Sequence, residues 1–220
     1  MRKIYIRHAD KAYKNMESEL FKHDPGITQV GVERARNVAL RLIKEYGKPT
    51  KIVSSPFRRA RETAMIMNMS LENPFEEIFI DPNLSEYLGN HNNVPLDVTN
   101  ATKIHNPPHP ETFEDMKKRV KKHVEKMRKK QNKYSKNKEI IWFITHGLIL
   151  KQICNSINLK TTKTFPCLTC LSVIETNDMV KGEFILFRGE LKHEKESEEI
   201  YQPYKINMNK ITRVLKRYDT

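Results

Sequence analysis

The segment EIIWFITHG, residues 139–147, contains the most strand-like stretch of the chain at 139–145, and KIYIRHAD, residues 3–10, contains a similar one at 3–7. Both contain short runs rich in β-branched and aromatic residues, which are typical of strands. A histidine follows each run directly, His8 in one and His146 in the other. We therefore expect two strands with a histidine at the equivalent position at the end of each.

Strand-like and helix-like segments alternate through the rest of the chain. Further strands are expected at 51–54, 76–80, 171–176 and 183–188, with a turn near Lys181-Gly182 between the last two. Helices are expected from an N-cap at Thr28 to Gly47, from a Ser55-Pro56 cap to about 69, from a capping pair of Thr112 and Asp115, at 147–157, and in the tail from 205.

Such alternation predicts an α/β fold, a three-layer sandwich with a mostly parallel central sheet and helices on both faces. In sheets of this kind, ligands bind beyond the carboxyl ends of the strands. His8 and His146 lie at such ends, and Arg59 lies one helical turn beyond the strand 51–54. We expect the three side chains to meet at one edge of the sheet.

With 220 residues, the chain is long enough for one full core and marginal for two. We predict a single domain over 1–220. Residues 87–110 are rich in Asn, Pro and His without periodicity, which suggests an excursion from the sandwich. The prediction therefore includes an inserted cap region at about 87–132 and a C-terminal extension at about 190–220.

The three cysteines, an odd number, argue against a disulfide framework and for a reducing compartment. The start of the chain offers no apolar signal-peptide core, and no apolar run approaches membrane-spanning length. We therefore expect a cytoplasmic protein without a membrane span. The sequence leaves the oligomeric state open.

The net charge of +13 is concentrated in one segment. Residues 117–138 hold twelve Lys or Arg and one acid, Glu125, and so carry +11. A helix with such a cationic face could make weak contact with a polyanion such as nucleic acid. The simpler interpretation, a solvated outer face, is favoured because runs of like charge are usually solvated.

Two histidines and two arginines at strand ends are the groups that a phosphoryl-transfer site without metal or cofactor needs. The guanidiniums of Arg7 and Arg59 can bind phosphoryl oxygens and, by repulsion, keep His8 neutral and nucleophilic. His146 can stay protonated beside a phosphate dianion. The first turn of the helix after Pro56 would add backbone N–H groups.

The other histidines have no such partner, and we interpret them as structural or surface residues: His23, His91, His105, His109, His123 and His193. Cys167 and Cys170 form a single C-x-x-C, which lacks the second pair of ligands that a zinc site requires.

Six motifs, in order, resemble those of the histidine phosphatase superfamily, also called phosphoglycerate mutase-like. Arg7-His8-Ala9 resembles the opening Arg-His-Gly motif, and GITQVGVERA (26–35) resembles the Leu-Thr-x-x-Gly segment. SSPFRRARETA (54–64) is similar to the Ser-x-x-x-Arg-x-x-x-Thr-Ala pattern, and NLSEYLGN (83–90) is similar to the Leu-x-Glu segment. HPETFEDMKKRV (109–120) resembles the Gly-Glu-Ser helix start, and ITHGLILK (144–151) resembles the second histidine motif.

The resemblance implies a metal-independent phosphatase that hydrolyses phosphomonoesters of small molecules or proteins. His8 would be the nucleophile and form a phosphohistidine. Arg7, Arg59 and His146 would bind the phosphate, with His146 also taking part in catalysis. Glu86 would be the acid for the leaving group and then the base for water.

Two alternatives stay open. One is a phosphoglycerate-type mutase, which we place second because 87–110 does not resemble the mutase substrate loop. The other is a pseudo-enzyme or anion-binding adaptor that uses the basic helix 117–138. The intact set of converging charged groups speaks against the latter, because a scaffold has no need of them.

Overall fold

The computed structural model describes residues 1–12, 24–89, 111–133, 139–161, 164–175, 180–185 and 215–217. The strands in these ranges are β1 (Arg2–Arg7), β2 (Lys51–Ser54), β3 (Ile78–Ile80), β4 (Ile140–Thr145), β5 (Cys170–Glu175), β6 (Val180–Ile185) and β7 (Leu215–Arg217). The helices are α1 (Gln29–Tyr46), α2 (Arg58–Met69), α3 (Phe113–Lys133) and α4 (Gly147–Ser156), with a short 3-10 helix at Pro82–Leu84.

The strands of the described residues form one sheet in the order β6-β5-β1-β4-β2-β3-β7. Strand β1 runs parallel to β4, and β2 runs parallel to both β4 and β3. Only β5 and β6, at one end, are antiparallel to their neighbours. The predicted mostly parallel sheet is therefore confirmed, and the register that pairs Arg7 with Thr145 places His8 beside His146.

Helices cover both faces of the sheet. Alternate residues of β1 point to opposite faces, so that Ile4 and Ile6 join one core cluster and Tyr5 the other. Helices α1 and α2 close the first cluster, and α3 and α4 close the second. The predicted three-layer sandwich is confirmed.

Three predictions about individual elements are wrong. Helix α2 begins at Arg58 with Phe57 at its N-cap position, although the Ser55 hydroxyl accepts from the N–H of Phe57 at 3.3 Å ahead of the helix. The pair Lys181-Gly182 lies within β6 and not in a turn. Gly182 fits there because a Cβ would lie only 2.5 Å from Cδ1 of Ile157.

The third correction concerns the tail, where a helix was expected from residue 205. Leu215–Arg217 instead forms β7 and pairs in parallel with β3, and so covers the outer edge of that strand. The remainder of the tail lies outside the described residues, as does most of the predicted extension at 190–220. Residues 90–110 of the predicted cap also lie outside them, so the domain prediction stays a prediction.

Helix α3, inside the predicted cap region, packs on the sheet through Met116, Val120, Val124 and Met127. Its outer face is basic, and Lys117, Lys118 and Lys121 each lie near an acid of the same helix. The helix ends at Lys133, and 134–138 lie outside the described residues. Contact of this face with a polyanion stays a prediction. Among the described residues, no helix combines the length and apolar character needed to cross a membrane.

Candidate active site

The two strand-end histidines are neighbours in space. The ring centroids of His8 and His146 lie 5.2 Å apart, and the residues are 1% and 0% exposed. Parallel pairing of β1 and β4 produces this contact, because both rings follow the last paired residues of their strands. The predicted meeting of the two histidines at one edge of the sheet is thus seen in the structure.

The His8 ring is held in one tautomer by its own backbone neighbour. Its Nδ1 lies 2.7 Å from the carbonyl oxygen of Ala9. Because a carbonyl oxygen only accepts hydrogen bonds, Nδ1 must carry the proton, and Nε2 of the neutral ring keeps its lone pair. Burial lowers the pKa of His8 well below its usual value, and the charges of Arg59 and Arg7 lower it further. The ring is therefore neutral, with its lone pair at Nε2.

His146 is held by the opposite nitrogen. Its Nε2 shares a hydrogen bond of 2.8 Å with the hydroxyl of Ser55, while its buried Nδ1 has no hydrogen-bond partner among the described residues. Burial, followed by Arg59 and His8, lowers the pKa of His146 well below its usual value. The ring is therefore neutral in the free protein, and the expectation that it stays protonated beside a phosphate dianion stays a prediction. A bound dianion would be needed to favour the protonated ring.

Arg59 lies on the first turn of α2 and is 2% exposed. Its Nη1 donates to Oδ1 of Asp24 at 3.1 Å, and its guanidinium carbon lies 4.7 Å from the centroid of the Phe57 ring. The Thr63 hydroxyl donates to the carbonyl of Arg59 and accepts from the N–H of Ala9. These bonds fix the arginine and tie the start of α2 to the residue after His8.

Arg7 is the last residue of β1, and its Nη1 donates to the carbonyl oxygen of Phe165. Its side chain runs beside Gly147, where a Cβ would lie 3.5 Å from the arginine Nε. The Nε atoms of Arg7 and Arg59 are buried and have no hydrogen-bond partner in the described part of the chain. Together with Nδ1 of His146, they are three unused polar atoms on residues that surround His8.

Glu86 completes the set. Its Oε2 accepts from Nη2 of Arg59 and lies 3.8 Å from Nδ1 of His146. Its side chain is 31% exposed, whereas those of its two partners are nearly buried. The structure therefore brings all five predicted site residues together, with Glu86 at the solvent side.

Sequence reasoning missed several supporting residues. Asp24 offered no motif signal, yet it binds Arg59 and also accepts from the backbone N–H of Arg58 at 2.8 Å. That second bond removes one of the first-turn N–H groups of α2 that we expected to face phosphate. The N–H groups of Ala60 and Arg61 are likewise used, since both donate to the carbonyl of Phe57.

The other missed residues lay in motifs that were interpreted differently. The pattern predicts Ser55 as a helix cap, and its hydroxyl does accept from the N–H of Phe57, but the same hydroxyl also bonds His146. Arg119 was counted in the basic run, although it is 8% exposed and pairs with Glu111. Of the histidines interpreted as structural, His123 is buried, and the others lie outside the described residues. Among the described residues, no group of three or more His, Cys, Asp or Glu is arranged to hold a metal ion.

Comparison with known families and structures agrees with this geometry. Residues 4–181 match the histidine phosphatase superfamily (branch 1), and the chain belongs to that superfamily. The match covers both histidines, both arginines and Glu86. A sequence search of curated proteins found no match.

Solved structures of the superfamily share the fold. The ecdysone phosphate phosphatase of Bombix mori, in complex with tungstate, is 15% identical, with a TM-score of 0.59 over 84% of this chain and 92% of that one. The protein histidine phosphatase SixA, complexed with tungstate, is 17% identical, with a TM-score of 0.55 over 84% and 95%. A mycobacterial glucosyl-3-phosphoglycerate phosphatase, complexed with VO3, is 18% identical, with a TM-score of 0.58 over 84% and 98%.

Proposed function

We propose that the protein is a metal-independent phosphatase that hydrolyses phosphomonoesters through a phosphohistidine on Nε2 of His8. The observation that carries the proposal is the set of three buried polar atoms without partners, Nε of Arg7, Nε of Arg59 and Nδ1 of His146, around a ring whose Nε2 is unprotonated. Unsatisfied buried donors are costly in a folded protein, and a phosphoryl group would supply acceptors for them. Tungstate and VO3, bound by the structural relatives, are oxyanions of the same kind.

The chemistry divides into two transfers. In the first, Nε2 of His8 forms a bond to phosphorus while the ester P–O bond breaks, and the leaving oxygen takes the proton of Glu86. In the second, Glu86 takes a proton from water, whose oxygen bonds to phosphorus as the P–N bond breaks. The two arginines and His146 stabilise the charge that spreads over the phosphoryl oxygens in both steps.

Substrate binding would also change the contacts of the Glu86 carboxylate. Its carboxylate pairs with Arg59 and lies near His146, the same two groups that the proposal assigns to phosphate. A phosphate dianion at these groups would compete with the carboxylate for them. The carboxyl must carry a proton to act as an acid toward the leaving group.

The test is hydrolysis of an aryl phosphate in the presence of a chelator by wild type and by His8→Ala. We expect His8→Ala to lose about a thousandfold or more in kcat/KM, as removal of a nucleophile commonly does. Wild type quenched in alkali after mixing with labelled substrate should carry an acid-labile label, which His8→Ala lacks. Arg36→Ala, at an exposed position of α1, is the matched control and should keep wild-type rates.

Two results would contradict the proposal. Equal rates in wild type and His8→Ala would remove His8 as the nucleophile, and loss of wild-type activity on chelation would remove the metal-independent route. Measuring phosphoglycerate interconversion in the same preparation separates hydrolysis from the mutase alternative. Faster transfer between phosphoglycerates than to water would establish the mutase instead.

A further inference from the structure

The segment that leads into Glu86 is held by helix α3. Arg119 donates from Nη1 to the carbonyl oxygens of Asn83 at 2.8 Å and Ser85 at 3.1 Å. Its other two nitrogens bind the carboxylate of Glu111, with Nε to Oε1 and Nη2 to Oε2 both at 2.7 Å. The side chains of Arg119 and Glu111 are 7% and 3% exposed, so this pairing is largely shielded from water.

The bond to Ser85 bears directly on Glu86. The carbonyl of Ser85 and the N–H of Glu86 belong to one planar peptide unit. A hydrogen bond that fixes the carbonyl therefore also fixes the orientation of the peptide plane before the Cα of Glu86. The carbonyl between the two that Arg119 binds is also held, because the Thr145 hydroxyl donates to the carbonyl oxygen of Leu84 at 2.8 Å. Three consecutive peptide units before Glu86 are thus fixed by buried side chains.

A second contact from α3 acts on the start of the same segment. His123, one turn after Arg119, has its Nδ1 2.8 Å from Oδ2 of Asp81. The other carboxylate oxygen of Asp81 accepts from the backbone N–H and the side-chain amide of Asn83. Two residues of α3 spaced by four therefore hold both ends of 81–85, and spacing by four places them on one helix face.

We propose that Arg119 is a positioning residue that sets the position of the Glu86 carboxyl relative to the leaving oxygen. The proposal rests on the function proposed above. Glu86 lies near solvent and is restrained at its own carboxylate by Arg59 and His146, the two groups that phosphate would engage. Once phosphate engages them, the backbone held by Arg119 is what keeps the carboxyl in place. Arg119 then matters most for substrates whose leaving group needs a proton.

The test compares two substrates in one enzyme preparation. Phenyl phosphate releases a basic phenolate that needs a proton, whereas dinitrophenyl phosphate releases a weakly basic anion that does not. We expect Arg119→Lys to lower kcat/KM for phenyl phosphate about tenfold more than for dinitrophenyl phosphate, a part of the range that general acid catalysis supplies. The ratio of the two values does not depend on the concentration of folded enzyme, so partial unfolding cannot produce the effect.

The effect should disappear when Glu86 is already removed. Glu86→Gln should change the ratio most, and Arg119→Lys added to Glu86→Gln should change it no further. Arg34→Lys is the matched control, because Arg34 pairs with both oxygens of Asp10 from α1 on the other face of the sheet. It should lower both rates in equal proportion, if at all.

Several outcomes would overturn the inference. An Arg119→Lys ratio equal to that of wild type, or a ratio change that persists in the Glu86→Gln background, would show that Arg119 does not act through Glu86. Either result leaves the phosphatase proposal standing as long as activity still depends on His8. Wild type that turns over neither substrate would overturn both proposals.

Discussion

The ends of strands β1 and β4 carry the same residue in the same register, yet the two histidines are held in opposite ways. His8 is bonded through Nδ1 to a carbonyl that can only accept, which leaves Nε2 with the lone pair of the ring. His146 is bonded through Nε2 to a hydroxyl that can donate or accept, which leaves Nδ1 as the unused atom. Both rings are buried and both have a lowered pKa, so neither property distinguishes them.

The difference indicates that roles at this edge are assigned by one hydrogen bond per ring. A ring locked by a carbonyl has a fixed tautomer and suits a nucleophile. A ring bonded to a hydroxyl can gain a proton when an anion arrives, because the hydroxyl then accepts. The comparison predicts that removing His146 slows the reaction, whereas removing His8 abolishes the covalent step.

Of the two replacements that test the bond between His146 and Ser55, that of His146 should produce the larger loss of kcat. His146→Ala should lower kcat for an aryl phosphate about a hundredfold, the cost of losing one group that stabilises transition-state charge. Labelled phosphate should still be trapped on His8, because the nucleophile is intact. Rapid quenching followed by peptide mapping measures both. A His146→Ala protein that forms no phosphoenzyme would show that the two rings do not have separate roles.

Replacement of Ser55 tests the hydrogen bond itself. Ser55→Ala removes the partner of His146 Nε2 and should lower kcat about tenfold, since one hydrogen bond contributes about 0.5–1.5 kcal/mol. Ser54→Ala is the matched control, because the Ser54 hydroxyl is equally buried and donates to the carbonyl of Ser55. Steady-state kinetics and thermal unfolding of both variants measure the effect. Equal losses of activity in the two variants would assign Ser55 a purely structural role.

The sequence predicted the positions of these residues better than their bonds. Strand periodicity around Ile4–Ile6 and at 140–145, with a parallel sheet, was sufficient to place His8 and His146 together, because the carboxyl ends of parallel strands lie at the same edge of a sheet. The roles of Ser55 and Arg119 could not be predicted in this way. A serine before Pro56 is also a typical helix cap, and an arginine within a run of lysines is also typical of a solvated face, so the local pattern did not indicate the contact of Ser55 with His146 or the burial of Arg119. Asp24 binds Arg59 from 35 residues away, and no local pattern reports such a contact.

The smallest expected effect is on the pH dependence of the free energy of unfolding. Both histidines are neutral in the folded protein, whereas in the unfolded chain they titrate at their ordinary pKa of 6.5. The unfolded chain therefore binds more protons below that pH. The stability that these rings contribute is complete above about pH 6.5 and falls as the pH decreases, by at most about 1.4 kcal/mol per pH unit for each ring.

Urea unfolding of wild type, His8→Gln and His146→Gln at pH 7 and pH 5.5 measures this loss. Each substitution should make the pH dependence of the unfolding free energy shallower, by a similar amount for the two positions, whatever its effect on stability at pH 7. The slope is the quantity to compare, because a glutamine at a buried site has its own cost at every pH. Similar slopes together with the unequal kinetics above would show that the two rings share one electrostatic environment and differ in their hydrogen bonds. A His146→Gln slope equal to that of wild type would instead mean that His146 takes up protons in the folded protein as it does in the unfolded chain, and the contrast between the two rings would then be one of charge.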